Sequence, residues 1–161
     1  MYRFDEQIQN LIHHLKYRDM PFIGDLLGRL AGEYFSGSPV ADCDVLIPVP
    51  LYRTRRRERT YNQSFHIAKG IGKVWDVPVR KKLLLRRRDT GTQTKLNRKE
   101  RRENIRNAFE VRKNREIPFS ACIVDDVFTT GATCREAARS LKRAGVKKVY
   151  ILTLAAAMKD Q

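Results

Sequence analysis

The amino-acid sequence predicts an α/β domain. Short apolar runs typical of buried strands alternate along the chain with segments in which apolar residues recur every three or four positions, as in helices. The last run, residues 148–155, is almost continuously apolar, as strands of parallel sheets are. With 161 residues, 42% of them hydrophobic, the chain is long enough to bury a core, and we expect residues 1–161 to form a single domain.

The first half of the chain is predicted to form three helices and one strand. Apolar residues recur at helical spacing over residues 4–15 and over 21–34, so we expect N-terminal helices within residues 1–36. The apolar run 45–50 is short and ends in prolines, as expected for a buried strand. Residues 61–74 are amphipathic again and predict a helix.

The second half is predicted to contain more strands and one further helix. The expected strands are residues 77–85, 108–111, 121–124 and 148–155, and the expected helix is 133–144. Between the first two of these strands, residues 86–106 are highly charged and contain few apolar side chains. We therefore expect a long mobile basic loop there, and loops of this length are usually functional or disordered.

Positive charge is concentrated in two segments. The chain has 33 Lys and Arg against 18 Asp and Glu, a net charge of +15. Residues 53–59 contain five Arg and one Glu, and residues 80–115 contain fifteen basic and four acidic residues, so these segments account for the whole excess. Such a field attracts polyanions, which include nucleic acid, polyphosphate and phosphorylated metabolites.

The cysteines and the apolar runs indicate the compartment. Cys43, Cys122 and Cys134 cannot all pair, and none is part of a Cys-x-x-Cys motif, so a disulfide framework and a zinc site are not expected. No apolar run approaches the roughly 20 residues that cross a bilayer, and no signal peptide opens the sequence. We expect a soluble cytoplasmic protein that does not insert into membranes.

The most informative stretch is residues 121–133. A predicted buried strand ends in two adjacent carboxylates, Asp125 and Asp126, which we expect at its exposed end, and a loop rich in Thr and Gly then leads into a helix. The loop N–H groups and the helix N-terminus favour a phosphate, and the carboxylates suit sugar hydroxyls or a divalent cation. A ribose 5-phosphate combines these groups. The alternative is a capped turn in which the two acids only stabilise the helix start.

This stretch resembles the PRPP-binding motif of type I phosphoribosyltransferases, which has four hydrophobic residues, two acidic ones and then Thr-Thr-Gly. The resemblance makes Asp125 and Asp126 the candidate catalytic residues, which would bind the ribose hydroxyls and, indirectly, Mg²⁺. It implies that the 5′-phosphate is bound by the loop and the first helical residues, Thr129, Thr130, Gly131, Ala132 and Thr133. In the same fold the strand at residues 45–50 leads into a pyrophosphate-binding segment, here Leu51, Tyr52, Arg53 and Arg55.

Further motifs are distributed along the chain: Pro48-Val49-Pro50-Leu51, Arg59-Thr60-Tyr61-Asn62-Gln63, Gln93-Thr94-Lys95-Leu96, Arg101, Asn104, and Ala108-Phe109. With these motifs, essentially the whole chain resembles the ComF family of competence-type and GntX-like proteins. The resemblance implies a type I phosphoribosyltransferase-like fold with a mostly parallel sheet, PRPP and Mg²⁺ as ligands, and a role in DNA uptake. Many members begin with a four-cysteine zinc module that this sequence does not contain, so we expect no zinc in this chain.

The basic loop is the second candidate site, and its function stays open between three interpretations. Its arginines are Arg86, Arg87, Arg88, Arg98, Arg101 and Arg102. They could close over PRPP, contact the backbone of DNA or RNA, or only keep the protein soluble. Two functional hypotheses follow. One is a phosphoribosyltransferase with an unknown acceptor, and the other is a non-catalytic competence factor that binds single-stranded DNA and has competence or DNA-processing proteins as partners.

Overall fold

The computed structural model describes the backbone of residues 2–3 and the whole of residues 20–52, 61–88, 103–113 and 115–156. In chain order the elements are β1 (Tyr2–Arg3), α1 (Pro21–Tyr34), β2 (Val45–Pro48), α2 (Gln63–Trp75), β3 (Leu84–Arg86), β4 (Phe109–Val111), β5 (Ser120–Phe128), α3 (Ala132–Arg143) and β6 (Lys148–Ala156). The predicted helix at residues 4–15 lies outside the described residues. No helix in the described part of the chain is both long and apolar enough to cross a membrane.

Four parallel strands form the main sheet in the order β1, β6, β5, β2. The central strand β5 pairs with β2 on one side and with β6 along its length on the other. Because the strands are parallel, their carboxyl ends lie at one edge of the sheet, which we call the carboxyl edge. A second, antiparallel sheet consists of β3 and β4. The predicted α/β class with a parallel sheet flanked by helices is therefore confirmed.

Helices cover both faces of the sheet, and β5 contributes to both cores. Ala121 and Ile123 of β5 pack in the cluster that contains α3 residues and the β3–β4 pair. Cys122 and Val124 point to the other face, where they pack with α2. This alternation explains why residues 121–124 are all buried and apolar in the sequence.

The helices α1 and α2 approach each other closely through glycines. A Cβ atom on Gly28 would lie 2.1 Å from the Ile67 carbonyl oxygen, and one on Gly70 would lie 2.1 Å from the Asp25 carbonyl oxygen. No other residue type fits either position without moving a backbone. α1 thereby holds the α2 helix firmly against the sheet.

One predicted strand is largely wrong. Instead of a strand over residues 77–85, only Leu84–Arg86 is a strand, and Val79 makes a single bridge to Leu46 of β2. The Leu83 N–H donates to the Arg80 carbonyl, so a turn separates these two parts. The charged residues between them favour the turn over a continuous strand.

Two further boundaries differ from the prediction. β5 continues through the two carboxylates to Phe128, because β6 pairs with it as far as Ala156. Arg86, predicted to lie in a mobile loop, is a strand residue that pairs with Phe109 of β4. Residues 87–88 and 103–106 of the predicted loop are also described, and residues 89–102 lie outside the described residues.

Candidate functional site

The carboxyl ends of β2 and β5 lie side by side and bring distant parts of the chain together. Val49, which follows β2, donates its N–H to the Val124 carbonyl of β5 over 2.9 Å. Asp125 and Asp126 come next in β5, and residues 129–131 connect this strand to α3. Ligands of open α/β sheets bind at this edge. The end of β5 is therefore the candidate site.

The first turn of α2 orients both carboxylates. Ser64 Oγ donates to Asp125 Oδ1 over 3.1 Å, and Gln63 Nε2 donates to Asp126 Oδ2 over 3.2 Å. The backbone N–H groups of Asp126 and Val127 donate to the carboxylates of the residues that precede them, over 3.0 and 2.8 Å. The sequence prediction did not include Gln63 and Ser64 among the site residues, although Gln63 ends a motif named above and Ser64 follows it directly.

Asn62 ties the start of α2 to the end of β2. Its side-chain oxygen accepts a hydrogen bond from the Ser64 N–H over 3.1 Å, which caps the helix. Its side-chain amide donates to the Val49 carbonyl over 3.0 Å. The side chain of Asn62 therefore positions Gln63 and Ser64 relative to the carboxyl edge of the sheet.

The two carboxylates repel each other in a site with little solvent. Burial, and then the negative charge of Asp126, raise the pKa of Asp125 to about 7. Hydrogen bonds from the Asp126 backbone and from Ser64 oppose this rise without cancelling it. Asp126 itself is only 6% exposed. The sequence prediction had placed the pair at an exposed strand end, and this is wrong because α2 and α3 enclose it.

Cys134 lies beside the carboxylates but is not a nucleophile candidate. Its Sγ is 3.9 Å from Asp125 Oδ2, and the residue is buried. Burial, followed by the charges of Asp125 and Asp126, raises the pKa of this thiol far above its usual range. The thiol therefore stays protonated and serves as a small packing group.

The loop after β5 turns sharply at Gly131 before α3 begins. Gly131 has a φ of 69°, and a Cβ there would lie 2.3 Å from the Phe128 ring. Gly131 is the N-cap residue of α3 and has no capping side chain, while the Ala132 N–H donates to Thr130 Oγ1 over 3.4 Å. The Arg135 side chain donates to the Thr130 carbonyl, which holds the loop against the first turn of α3. Thr129 is exposed and Thr133 half-buried.

Several predicted residues lie elsewhere or outside the described residues. Leu51 and Tyr52 are half-buried and follow the end of β2. Arg87 forms an ion pair with Glu110 of β4 over 2.8 Å, and Arg88 donates to the carbonyl of Arg106, which precedes β4. The residues that the structure does not describe are Arg53, Arg55, Arg98, Arg101 and Arg102.

The donor set fits Mg²⁺ only in combination with substrate oxygens. The described residues contain no group of three or more His, Cys, Asp and Glu that could hold a metal ion. Two adjacent carboxylates are present, and Mg²⁺ commonly binds through one or two carboxylates together with waters and substrate phosphates. Asp125 and Asp126 therefore suit an ion that arrives with a phosphorylated ligand.

The start of α2 also lines a concave region, which shares Leu51 and Tyr52 with the predicted pyrophosphate-binding segment. It is a groove of about 710 Å³ between the segment after β2, the first turns of α2, and the segment that leads into β3. We call it the aromatic groove, because its lining includes the rings of Tyr52, Tyr61, Phe65 and His66. Sequence reasoning missed it, since its residues come from three separate stretches.

Comparison with solved structures defines the class of fold. The glutamine PRPP amidotransferase of Bacillus subtilis superposes with a TM-score of 0.58 and 19% identity, covering 88% of this chain and 30% of that one. The protein TT1426 of Thermus thermophilus gives a TM-score of 0.50 and 12% identity, covering 86% of this chain and 85% of that one. The fold is that of the type I phosphoribosyltransferases.

Comparison with curated proteins identifies homologues. Competence protein F of Haemophilus influenzae is 38% identical over 117 residues, which are 71% of this chain and 51% of that protein. The DNA utilization protein YhgH of Salmonella typhi is 33% identical over 157 residues, covering 89% of this chain and 65% of that protein. The chain is thus a homologue of the ComF proteins, as its motifs predicted, and it spans about half to two thirds of their length. No protein-family model matches it.

Proposed function

We propose that the carboxyl edge binds PRPP together with Mg²⁺ and transfers or recognises its ribose 5-phosphate. The observation that carries this proposal is the order of groups along the end of β5. Two carboxylates, Asp125 and Asp126, are followed by the 129–131 loop and the N-terminus of α3. This order would place a diol or metal site beside a phosphate site, as ribose 5-phosphate requires.

A buried acceptor supports the presence of a hydroxyl-bearing ligand. Gln63 donates to Asp126 through Nε2, while its Oε1 is buried and, among the described residues, has no hydrogen-bond partner. A buried acceptor without a donor is costly, so such groups often mark the position of a ligand. A ribose hydroxyl beside Asp126 could donate to this oxygen.

The raised pKa of Asp125 adds a measurable consequence. At pH 7 this carboxyl is close to half protonated, because its pKa is about 7. Hydroxyl donors or a cation stabilise the ionised form and lower the pKa. Binding of Mg²⁺ and PRPP should therefore release protons near neutral pH.

In the transfer reaction a nucleophile attacks the anomeric carbon of PRPP while its bond to the pyrophosphate oxygen breaks. Mg²⁺, when bound, would neutralise charge on the leaving pyrophosphate. Asp125 and Asp126 would position the ribose, residues 129–133 would bind its 5′-phosphate, and Leu51, Tyr52, Arg53 and Arg55 would face the pyrophosphate. Such chemistry depends on positioning and charge neutralisation. The acceptor is unidentified.

The names of the homologues suggest the biological setting. They are called competence protein F, DNA utilization protein and competence protein ComFC. We therefore propose a role for this chain in DNA uptake. The alternative is a competence factor that binds single-stranded DNA without catalysis and uses its PRPP pocket for regulation. The aromatic groove favours a second ligand but does not decide whether PRPP is turned over.

Calorimetric titration with PRPP, with and without Mg²⁺, tests the binding site. Asp125→Asn combined with Asp126→Asn should weaken binding by about 2–4 kcal/mol, since charge-assisted hydrogen bonds or a metal bridge are lost. Asp25→Asn is a matched control, because Asp25 is a surface carboxylate paired with Lys73 and Arg29. Wild-type affinity in the double variant would refute the assignment.

Release of pyrophosphate separates the two hypotheses. Wild-type protein incubated with Mg²⁺, PRPP and candidate acceptors should release pyrophosphate if it is a transferase. The Asp125→Asn, Asp126→Asn variant provides the background rate. Binding of PRPP without acceptor-dependent release across nucleobases, nucleotides and single-stranded DNA would favour the non-catalytic hypothesis.

A further inference from the structure

Four aromatic rings and four cationic side chains share the aromatic groove. Tyr61 and Phe65 each meet the His66 ring edge to face, with ring centroids 5.3 Å apart in both pairs. Tyr52 completes the set of rings in the lining. The volume of about 710 Å³ is within the range of small-molecule sites, roughly 300–1,000 Å³.

The cationic side chains line the wall that leads into β3. They are Lys81, Lys82, Arg86 and Arg87. Lys81 Nζ lies 4.6 Å from the centroid of the Phe65 ring, which places a cation directly over an aromatic face. Among the residues that the structure describes, Lys81 and Lys82 form no ion pair with a carboxylate.

His66 contributes a ring and no charge. Its pKa is lowered by burial, then by the positive charge of Lys69, and also by Lys81, against a smaller raising effect of Asp25. The imidazole is therefore neutral at pH 7. The positive charge of the groove comes from its lysine and arginine side chains.

We propose that the aromatic groove binds single-stranded nucleic acid, with bases against the rings and phosphates against Lys81 and Lys82. Rings between cations are the arrangement that holds unpaired bases and their backbone together, since every base has an aromatic face. The rings are half-buried in the groove, so the paired and stacked bases of a duplex cannot reach them.

The distribution of cations along the groove favours a strand over a single nucleotide. Lys81 and Lys82 precede β3, while Arg86 is its last residue and Arg87 follows it, so the cations extend along the wall. A strand that lies along this wall would meet more than one cation. This proposal moves the nucleic-acid site from the predicted arginine loop to a groove with rings, and it does not rest on PRPP binding.

The test is fluorescence anisotropy with a labelled oligo(dT) strand of about twelve nucleotides, over a range of salt concentrations. Lys81→Gln with Lys82→Gln should flatten the slope of log K against log salt by up to about 1.4, which is 0.7 per phosphate contact. Lys147→Gln with Lys148→Gln is the matched control, because these adjacent exposed lysines lie at the opposite end of the sheet. The control should keep the wild-type slope.

The rings are tested separately from the charges. Tyr61→Ala should weaken oligo(dT) binding about tenfold through loss of stacking, while Tyr61→Phe should retain the wild-type affinity. A duplex of the same length and dTMP alone should both bind more weakly than the single strand. The Asp125→Asn, Asp126→Asn variant should bind oligo(dT) like wild type even if it no longer binds PRPP.

Four outcomes would overturn the proposal. They are no binding of oligo(dT), equal slopes for the two lysine pairs, dTMP binding as tightly as the strand, and unchanged affinity in a folded Tyr61→Ala variant. If Tyr61→Ala does not fold, comparison of the salt slopes of the two lysine double variants still tests the proposal. Both lysine pairs are exposed, so their substitution leaves the core intact.

Discussion

Two ligand-sized regions adjoin the first turn of α2, and they differ in charge and burial. Gln63 and Ser64 hydrogen-bond the enclosed carboxylates of β5. The next two residues, Phe65 and His66, line an open groove with lysines in its wall. A single helical turn thus contributes to an anionic site and to a cationic one.

The difference in burial determines how each region responds to its surroundings. In the enclosed site the pKa of Asp125 rises to about 7, so its charge depends on pH near neutrality. In the groove the cations include exposed lysines, so binding of a polyanion there depends on salt. Proton linkage and salt linkage therefore distinguish the two regions experimentally.

The largest effect is expected from Gly131→Val, which should break the carboxyl-edge site alone. A β-branched residue is disfavoured at a φ of 69°, and its Cβ would clash with the Phe128 ring. PRPP affinity measured by calorimetry should fall at least a thousandfold, which is about 4 kcal/mol. Oligo(dT) binding should be unchanged. Loss of both activities in a variant with a normal circular dichroism spectrum would show that the two ligands share one site.

Asp125→Asn should change the free energy of unfolding in a pH-dependent way, because only the carboxyl-edge site contains this carboxyl. A carboxyl whose pKa is raised from 3.8 to about 7 binds its proton more tightly in the folded state, so stability is lost as pH rises from about 4 to 7. The asparagine variant avoids this loss. The full shift corresponds to about 4 kcal/mol. Because Asp125 keeps some solvent exposure, we expect the free energy of unfolding of the variant to exceed that of wild type by about 2–3 kcal/mol at pH 8, a difference that should shrink towards zero near pH 4.

Urea denaturation at several pH values measures this difference. Asp25→Asn is the control, because the pKa of Asp25 is lowered, first by its hydrogen bond to Lys73. That variant should be less stable than wild type at pH 8. A pH-independent difference for Asp125→Asn would mean that Asp125 is ionised throughout and that burial does not govern its charge.

The two regions also differ in how much of them the sequence could predict. The carboxyl-edge motif is contiguous, and a strand, two acids, a Gly-containing loop and a helix start each leave a local signature. Its partners Gln63 and Ser64 lie more than 60 positions away, and no local pattern links them to Asp125 and Asp126. The predicted exposure of the carboxylates was wrong for the same reason.

The aromatic groove could not be predicted, because no single stretch contains its chemistry. Its rings follow β2 and begin α2, whereas its cations precede and form β3. The excess of positive charge over residues 80–115 was visible in the sequence, but the sequence-based prediction placed Arg86 in a loop. Pairing of Arg86 with Phe109 depends on a contact 23 positions away, and periodicity within a window does not report such contacts.

The smallest effect is expected from Asn62, which should disturb both regions at once. Its side chain caps α2 through the Ser64 N–H and donates to the Val49 carbonyl. Asn62→Ala removes both bonds and should cost about 1 kcal/mol of stability, with a several-fold loss of affinity for both PRPP and oligo(dT).

Asn62→Asp keeps the cap and removes only the donation to Val49. If the two sites depend on the position of this turn relative to β2, the aspartate variant should weaken both ligands while the helix stays capped. If they depend on the cap alone, it should bind both like wild type, and a loss confined to one ligand would show that the shared turn does not couple the two regions.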